Sequence, residues 1–384
     1  MANEFSTQHS LYFHIPFCRS KCPYCDFYSQ VADPGQLDDY VELLLRHLAW
    51  LSKQRVLIAP LATVFFGGGT PSLLAPEQVA ELLDQVRRTA GLAADAEISL
   101  EANPGTVDEQ SLRGYRQAGV NRLSFGVQSM QDKALQLLGR GHSSRQAVQA
   151  VNWARQAGFR DIGCDLIFGL PGQGRTELLQ DLAALLALQP SHLSCYGLTV
   201  EQGTPFERLQ QEGSLQSPDD ELYRDLFLTL HEQLSAAGFD HYEISNYAQP
   251  GHVCRHNLAY WQRRTCYAVG AGAHSFLADG YGMRRSVPAD LQLYRQSLGA
   301  GCDPAVTLET FDRRGAMAET LYLGLRCREG VAEGDFRRRF GLGVAEAFPQ
   351  AVKRCGERLS YEAGRWRFDL QGWLLYDHFI SFFL

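Results

Sequence analysis

The sequence predicts an α/β fold, a partial (β/α)6 barrel followed by a small C-terminal winged-helix-like domain. Three observations carry that expectation. Between Leu11 and about Ser245, six strand-like stretches alternate with helical patterns, as right-handed βαβ crossovers around a parallel sheet require. Several helical stretches close on glycine, at Gly91, Gly119 and Gly158, where a left-handed C-cap meets no Cβ penalty. Distinctive polar residues also recur at the carboxyl ends of the strands, the face on which barrel sites are built. An open doubly wound sheet fits the same six repeats.

In chain order, the expected strands are Leu11–Ile15, Ala62–Phe66, Glu97–Glu101, Arg122–Val127, Asp161–Phe168 and His192–Leu198. The helices between them are Leu37–Leu51, Pro76–Thr89, Asp108–Ala118, Arg145–Ala157 and Thr176–Ala187. A helix over Asp219–Ala237 and an aromatic-rich, irregular stretch over Asp240–Ser275 extend this domain. The glycines of Leu298–Gly301, with Pro304 just after, mark a break that divides the chain into residues 1–300 and 301–384. Beyond it, a helix over Phe311–Leu325, short helices over Phe336–Phe340 and Val344–Arg358, and a hairpin near Trp366–Leu370 follow winged-helix order.

Composition excludes several classes. With 45% hydrophobic and 21% charged residues over 384 positions, the chain is of ordinary globular type and long enough for two domains. A net charge of -7 argues against nucleic acid held by bulk electrostatics, and the Arg337–Arg339 run reads as a solvated helix face. Outside one triplet the ten cysteines are scattered, which suits a reducing compartment. Met1–Ser10 is polar without a signal core, and no apolar run reaches the ~18 residues of a membrane span. A cytoplasmic location is expected.

The first strand runs through Pro16 into Cys18, Cys22 and Cys25, spaced C-x3-C-x2-C. Thiolates on so short a loop suit a soft metal or an iron–sulfur cluster. Three are one short of the usual four, so a [4Fe–4S] cubane held here would keep one iron open to a ligand. A zinc site completed by His14 or a distant residue, or simply buried thiols, are the competing readings.

Further strand ends add to this rim. Gly67-Gly68-Gly69-Thr70-Pro71 forms a turn that brings main-chain atoms close to a bound group. Glu101, Gln128, Arg140 and Asp165 follow on later strands or just after them. An acid, an amide and a guanidinium around a glycine turn suit a zwitterionic amino acid bearing ribose and base.

The cysteine loop, the Gly67–Pro71 turn and these rim residues resemble the radical S-adenosylmethionine superfamily. Within it, His14-Ile15-Pro16-Phe17-Cys18, Gly126-Val127-Gln128 and Asp165–Pro171 are similar to the HemN-like branch. The resemblance implies a [4Fe–4S] cluster on Cys18, Cys22 and Cys25 and S-adenosylmethionine on its open iron, the source of a 5′-deoxyadenosyl radical. It places the S-adenosylmethionine contacts at Tyr12, Tyr24, Gly68, Gly69, Thr70, Glu101, Gln128, Arg140 and Asp165.

Two functions separate inside that branch. The oxygen-independent coproporphyrinogen III dehydrogenases, which decarboxylate propionate side chains, carry a fourth cysteine two residues after the triplet and a longer leading segment. Here Phe27 holds that position, and seventeen residues precede Cys18. Those departures resemble the branch's heme chaperones, as does His256-Asn257-Leu258-Ala259-Tyr260-Trp261, which matches their H-N-x-x-Y-W pattern. Imidazole is a common heme ligand, and Tyr and Trp offer flat apolar area to a porphyrin. The resemblance implies that His256 contributes to heme binding, that heme passes to membrane hemoproteins of respiration, and that the chain forms a homodimer. Read without the resemblance, His256 suits a satisfied structural histidine better than a ligand, and His252, Cys254 and His256 could together hold zinc.

Overall fold

The computed structural model describes residues 9–33, 35–57 and 60–384, so all but the last two residues of the polar Met1–Ser10 segment lie outside it. Six consecutive strands are parallel: β1 (His9–Ile15), β2 (Leu61–Gly68), β3 (Leu92–Ala102), β4 (Arg122–Gln128), β5 (Asp161–Phe168) and β6 (His192–Gly197). The helices α1 (Gln36–Lys53), α2 (Pro76–Thr89), α3 (Glu109–Ala118), α4 (Ser144–Gln156) and α5 (Arg175–Ala187) form the crossovers. β1 is buried at six of its seven positions, as a strand covered on both faces must be.

Local chemistry sets the helix limits. Asp108 caps α3 by accepting from the Ser111 amide at 2.7 Å, and Ser143 caps α4 from the Gln146 amide at 3.3 Å. Gly119 ends α3 at φ 115°, a backbone that glycine takes without strain.

After α6 (Asp220–Ala236), the stretch expected to be irregular is ordered. It holds β7 (Asp240–Glu243), β8 (Asn246–Ala248), α7 (Arg255–Trp261) and β9 (Cys266–Val269), and leads into β10 (His274–Leu277). Elements of three or four residues are too short for a hydrophobic period to show, so alternation alone could not announce them. With β11 (Met283–Ser286) and β12 (Val306–Thr310) the sheet reaches twelve strands, in the order β12-β11-β10-β9-β1-β2-β3-β4-β5-β6-β8-β7. α8 (Leu291–Gly299) lies between β11 and β12 and packs on α1. The large sheet therefore continues to Thr310 before the C-terminal unit begins.

That unit contains α9 (Arg313–Gly324), β13 (Val331–Ala332), α10 (Glu333–Phe340), α11 (Pro349–Cys355), β14 (Leu359–Glu362), β15 (Arg365–Phe368) and α12 (Leu370–Leu374). Its strands pair in the order β13-β15-β14. The expected Val344–Arg358 helix is interrupted at Phe348, whose ψ of 55° is non-helical. The following Pro349 disfavours helical backbone there. One hydrophobic cluster runs from Leu11 to Phe383, through both units. No helix among the described residues is long and apolar enough to cross a membrane.

Candidate cluster and cofactor site

β1 delivers the cysteine loop to the carboxyl face of the sheet. A short parallel bridge pairs Phe17 with Gln30 and Cys18 with Val31, closing the loop at its base. Inside it, the Cys25 amide donates to the Cys22 carbonyl at 3.2 Å. All three thiols are partly exposed. Burial, and to a lesser extent the neighbouring Cys22 and Cys18, raises the pKa of Cys25. Among the described residues no three thiol, imidazole or carboxylate groups gather as ligands of a single ion. A cubane holds its thiolates further apart than one ion does, and an all-thiol donor set is what such clusters use.

The glycine turn presses against this loop. A Cβ on Gly69 would stand 2.7 Å from the Phe17 carbonyl oxygen and 3.0 Å from Cys18 Sγ, and one on Gly68 would strike the His14 ring. Only glycine allows that approach. The Thr70 hydroxyl donates to Cys18 Sγ at 3.5 Å. The Gly69 amide donates to the Ile15 carbonyl at 2.9 Å, and the Gly68 amide to Glu101 Oε2 at 3.2 Å. With both amides engaged, the turn offers a ligand acceptors rather than donors.

Arg140 ties the rim together. Its guanidinium donates to the Gly126 carbonyl at 2.8 Å, to Tyr24 Oη at 3.5 Å and to Cys22 Sγ at 3.6 Å. Its Nε is buried without a partner, leaving one donor aimed at a missing acceptor. Gln128 ends β4 at φ 70°. Glu101 and Asp165 line a cavity inside the barrel together with Tyr12. Burial and the neighbouring Asp165 push Glu101 up to about 8. Burial also raises Asp165 to about 6, against hydrogen bonds from Ser194 and Ser124. Of the two carboxyls Glu101 holds its proton the more tightly, and in its protonated form it can donate to as well as accept from a hydroxyl.

His256 lies at the opposite end of the barrel. α7 plugs the amino-terminal end of the sheet, its first turn held by Glu97, whose carboxylate accepts from the amides of Arg255 at 3.0 Å and His256 at 2.9 Å. Thr63 donates to Ser10 at 2.8 Å, so its oxygen accepts from His256 Nδ1 at 2.7 Å. His256 Nε2 then faces the Tyr260 hydroxyl at 3.4 Å. The imidazole is 1% exposed and shares the lumen cavity, of about 190 Å³, with Tyr12, Glu101 and Asp165. His252 Nδ1 lies 2.5 Å from Asp161 and the Cys254 thiol 3.7 Å from Glu97, and among the described residues they do not gather with the His256 imidazole as ligands of one ion. Sequence reasoning missed this floor, because Glu97, Arg122 and Asp161 meet residues far along the chain and form no local motif.

Comparison with known proteins agrees with the geometry. The family model of the radical SAM superfamily matches residues 12–185, and that of the HemN C-terminal domain matches residues 311–375. The solved Escherichia coli coproporphyrinogen III oxidase (HemN) superposes with a TM-score of 0.84, covering 100% of this chain and 91% of that one at 22% identity. That likeness establishes the fold alone. Fold and site together define a radical SAM protein of the HemN-like type.

Curated relatives narrow the assignment. The heme chaperone HemW of Synechocystis sp. is 41% identical over 83% of this chain and 78% of its own, and that of Bacillus subtilis is 34% identical over 91% of each. The Escherichia coli HemW is 46% identical over 69% of each chain. The chain belongs to the HemW family.

Proposed function

We propose that this protein is a heme chaperone, binding heme and passing it to acceptor hemoproteins from a [4Fe–4S]/S-adenosylmethionine scaffold. The observation that carries the reading is the rim of three thiols with Phe27, 63% exposed, where a fourth cysteine would stand. The relatives' name supplies the cargo. Cys18, Cys22 and Cys25 hold the cluster. Gly68, Gly69 and Thr70 offer acceptors to the ammonium of S-adenosylmethionine, and Arg140 Nε offers a donor to its carboxylate. Tyr12, Glu101, Gln128 and Asp165 line the path of the ribose and base, and Tyr24 braces Arg140. Bound there, the pair supplies one-electron reduction of a sulfonium. The chain's own contribution is to orient that ligand.

His256 enters this reading through the H-N-x-x-Y-W helix. Sites for drug-sized ligands occupy roughly 300–1,000 Å³, more than the closed lumen holds, so a porphyrin reaches His256 when α7 leaves the barrel floor. The protein works in the cytoplasm, its acceptors include membrane hemoproteins of respiration, and a homodimer is its assembly.

Anaerobic reconstitution tests the scaffold. Iron and acid-labile sulfide are expected in the wild type and lost in Cys22→Ser, while circular dichroism is unchanged. One zinc per chain without sulfide refutes it. Incubation with coproporphyrinogen III, S-adenosylmethionine and a reductant should yield no protoporphyrinogen; turnover would establish the dehydrogenase alternative instead.

A further inference from the structure

A second cleft, of about 460 Å³, opens between α6 and β7 of the barrel unit and β15 and α12 of the C-terminal unit. Phe239, Phe368, Leu370 and Trp373 supply apolar and aromatic walls. Arg328, Arg367 and Asp240 stand among its polar lining. Asp240 is paired with Arg328 at 2.9 Å. Arg367 donates to the Glu329 carbonyl at 3.3 Å and has no carboxylate partner among the described residues. The cleft thus combines flat apolar surface with net positive charge at volumes that suit a large ligand.

Two histidines line it, and their hydrogen bonds fix a tautomer. His241 Nε2 lies 3.0 Å from the Ile244 carbonyl oxygen, which only accepts, so Nε2 carries the proton and Nδ1 is bare. His231 Nδ1 lies 3.0 Å from that bare nitrogen and must donate to it. His231 Nε2 is then left with its lone pair, on a half-buried side chain facing the cleft. His241 is itself immobilised, stacked on Tyr247 with ring centroids 4.0 Å apart and edge-on to Trp373 at 4.8 Å. A ring nitrogen that donates to a fixed acceptor while the other points its lone pair outward is the usual arrangement of a metal-ligating histidine.

We propose that this inter-domain cleft is a heme site, with His231 Nε2 as axial ligand, the aromatic walls against the porphyrin and Arg367 on a propionate. The proposal rests on the chaperone reading for its cargo, and it deepens that reading by naming a site open in the folded chain without movement of α7.

Hemin titration of the full chain tests it, read by Soret position, electron paramagnetic resonance and affinity. His231→Ala is expected to weaken binding at least about tenfold, the equivalent of ~1.4 kcal/mol, and to lose the imidazole-ligated spectrum. Free imidazole added to His231→Gly restores that spectrum, which a merely structural role would not allow. Arg367→Glu is expected to lower affinity severalfold with the Soret position unchanged, and it decides the matter if His231 variants do not fold. Retained affinity and spectrum in His231→Ala, loss without imidazole rescue, or unchanged affinity in Arg367→Glu as the deciding variant overturns the site. In that case the chaperone reading stands, and His256→Ala would carry the loss. Failure of the wild-type chain to bind hemin overturns both.

Discussion

Gln128 shows how one residue's backbone serves the rim. It ends β4 in left-handed conformation at φ 70°, after a register shift puts the strand out of step with β5. For a residue with a Cβ such backbone costs on the order of 1–3 kcal/mol and persists only where the surroundings impose it. Gln128→Gly should therefore unfold at no lower temperature than the wild type, whereas Gln128→Val should lose roughly 1–3 kcal/mol. Both should bind S-adenosylmethionine more weakly, by thermal melts and ligand titration on the same preparations. The Gly126-Val127-Gln128 motif was legible in the sequence; the strain was not, because it arises from pairing with β5. Likewise Glu97 and Asp161 could not be read as parts of a floor, since their partners His256 and His252 lie 159 and 91 positions further on.

At the scale of elements, α1 is fastened to α8 by a buried pair, His47 Nδ1 and the Tyr294 hydroxyl at 3.0 Å. Burial lowers His47 to about 3, with the nearby Asp303 raising it and Arg285 lowering it to lesser extents. The native imidazole stays neutral while an unfolded chain takes up a proton below pH ~6.5, so stability falls as the pH drops through that value. His47→Phe removes the penalty. Between pH 7 and pH 5 it should gain about 2 kcal/mol relative to the wild type, at 1.36 kcal/mol per unit, in urea unfolding at the two pH values. A constant gap between the proteins would contradict this account of α1. The six strands were legible because they alternate with helical stretches long enough for a hydrophobic period to show. The short elements from β7 to β9 were not, and the cleft histidine on β7 was hidden with them.

Across the whole molecule, the C-terminal unit is stitched to the barrel by buried polar contacts as well as by the shared core. Glu319 of α9 reaches Arg263, just beyond α7, and Arg284 of β11, and Arg263 stacks on Phe276 and Phe311 at 4.9 and 5.0 Å. Removing one partner of such a pair leaves a buried charge uncompensated. Glu319→Ala should therefore cost about 3–5 kcal/mol and unfold both units in one transition. Asp335→Ala, which breaks the exposed pair with Arg338, should cost no more than about 1 kcal/mol. The sequence foretold the order of elements in this unit, but not its docking, which depends on side chains brought together only by the folded sheet.

The central claim is that the molecule hands heme on rather than transforming a porphyrinogen. Hemin-loaded, anaerobically reconstituted protein should be mixed with an apo b-type hemoprotein, and the acceptor's Soret band followed after separation of the two. The account predicts that heme moves to the acceptor in proportion to the loaded chain, with no porphyrin product formed. Heme that stays bound while coproporphyrinogen III is converted by the same preparation would contradict it.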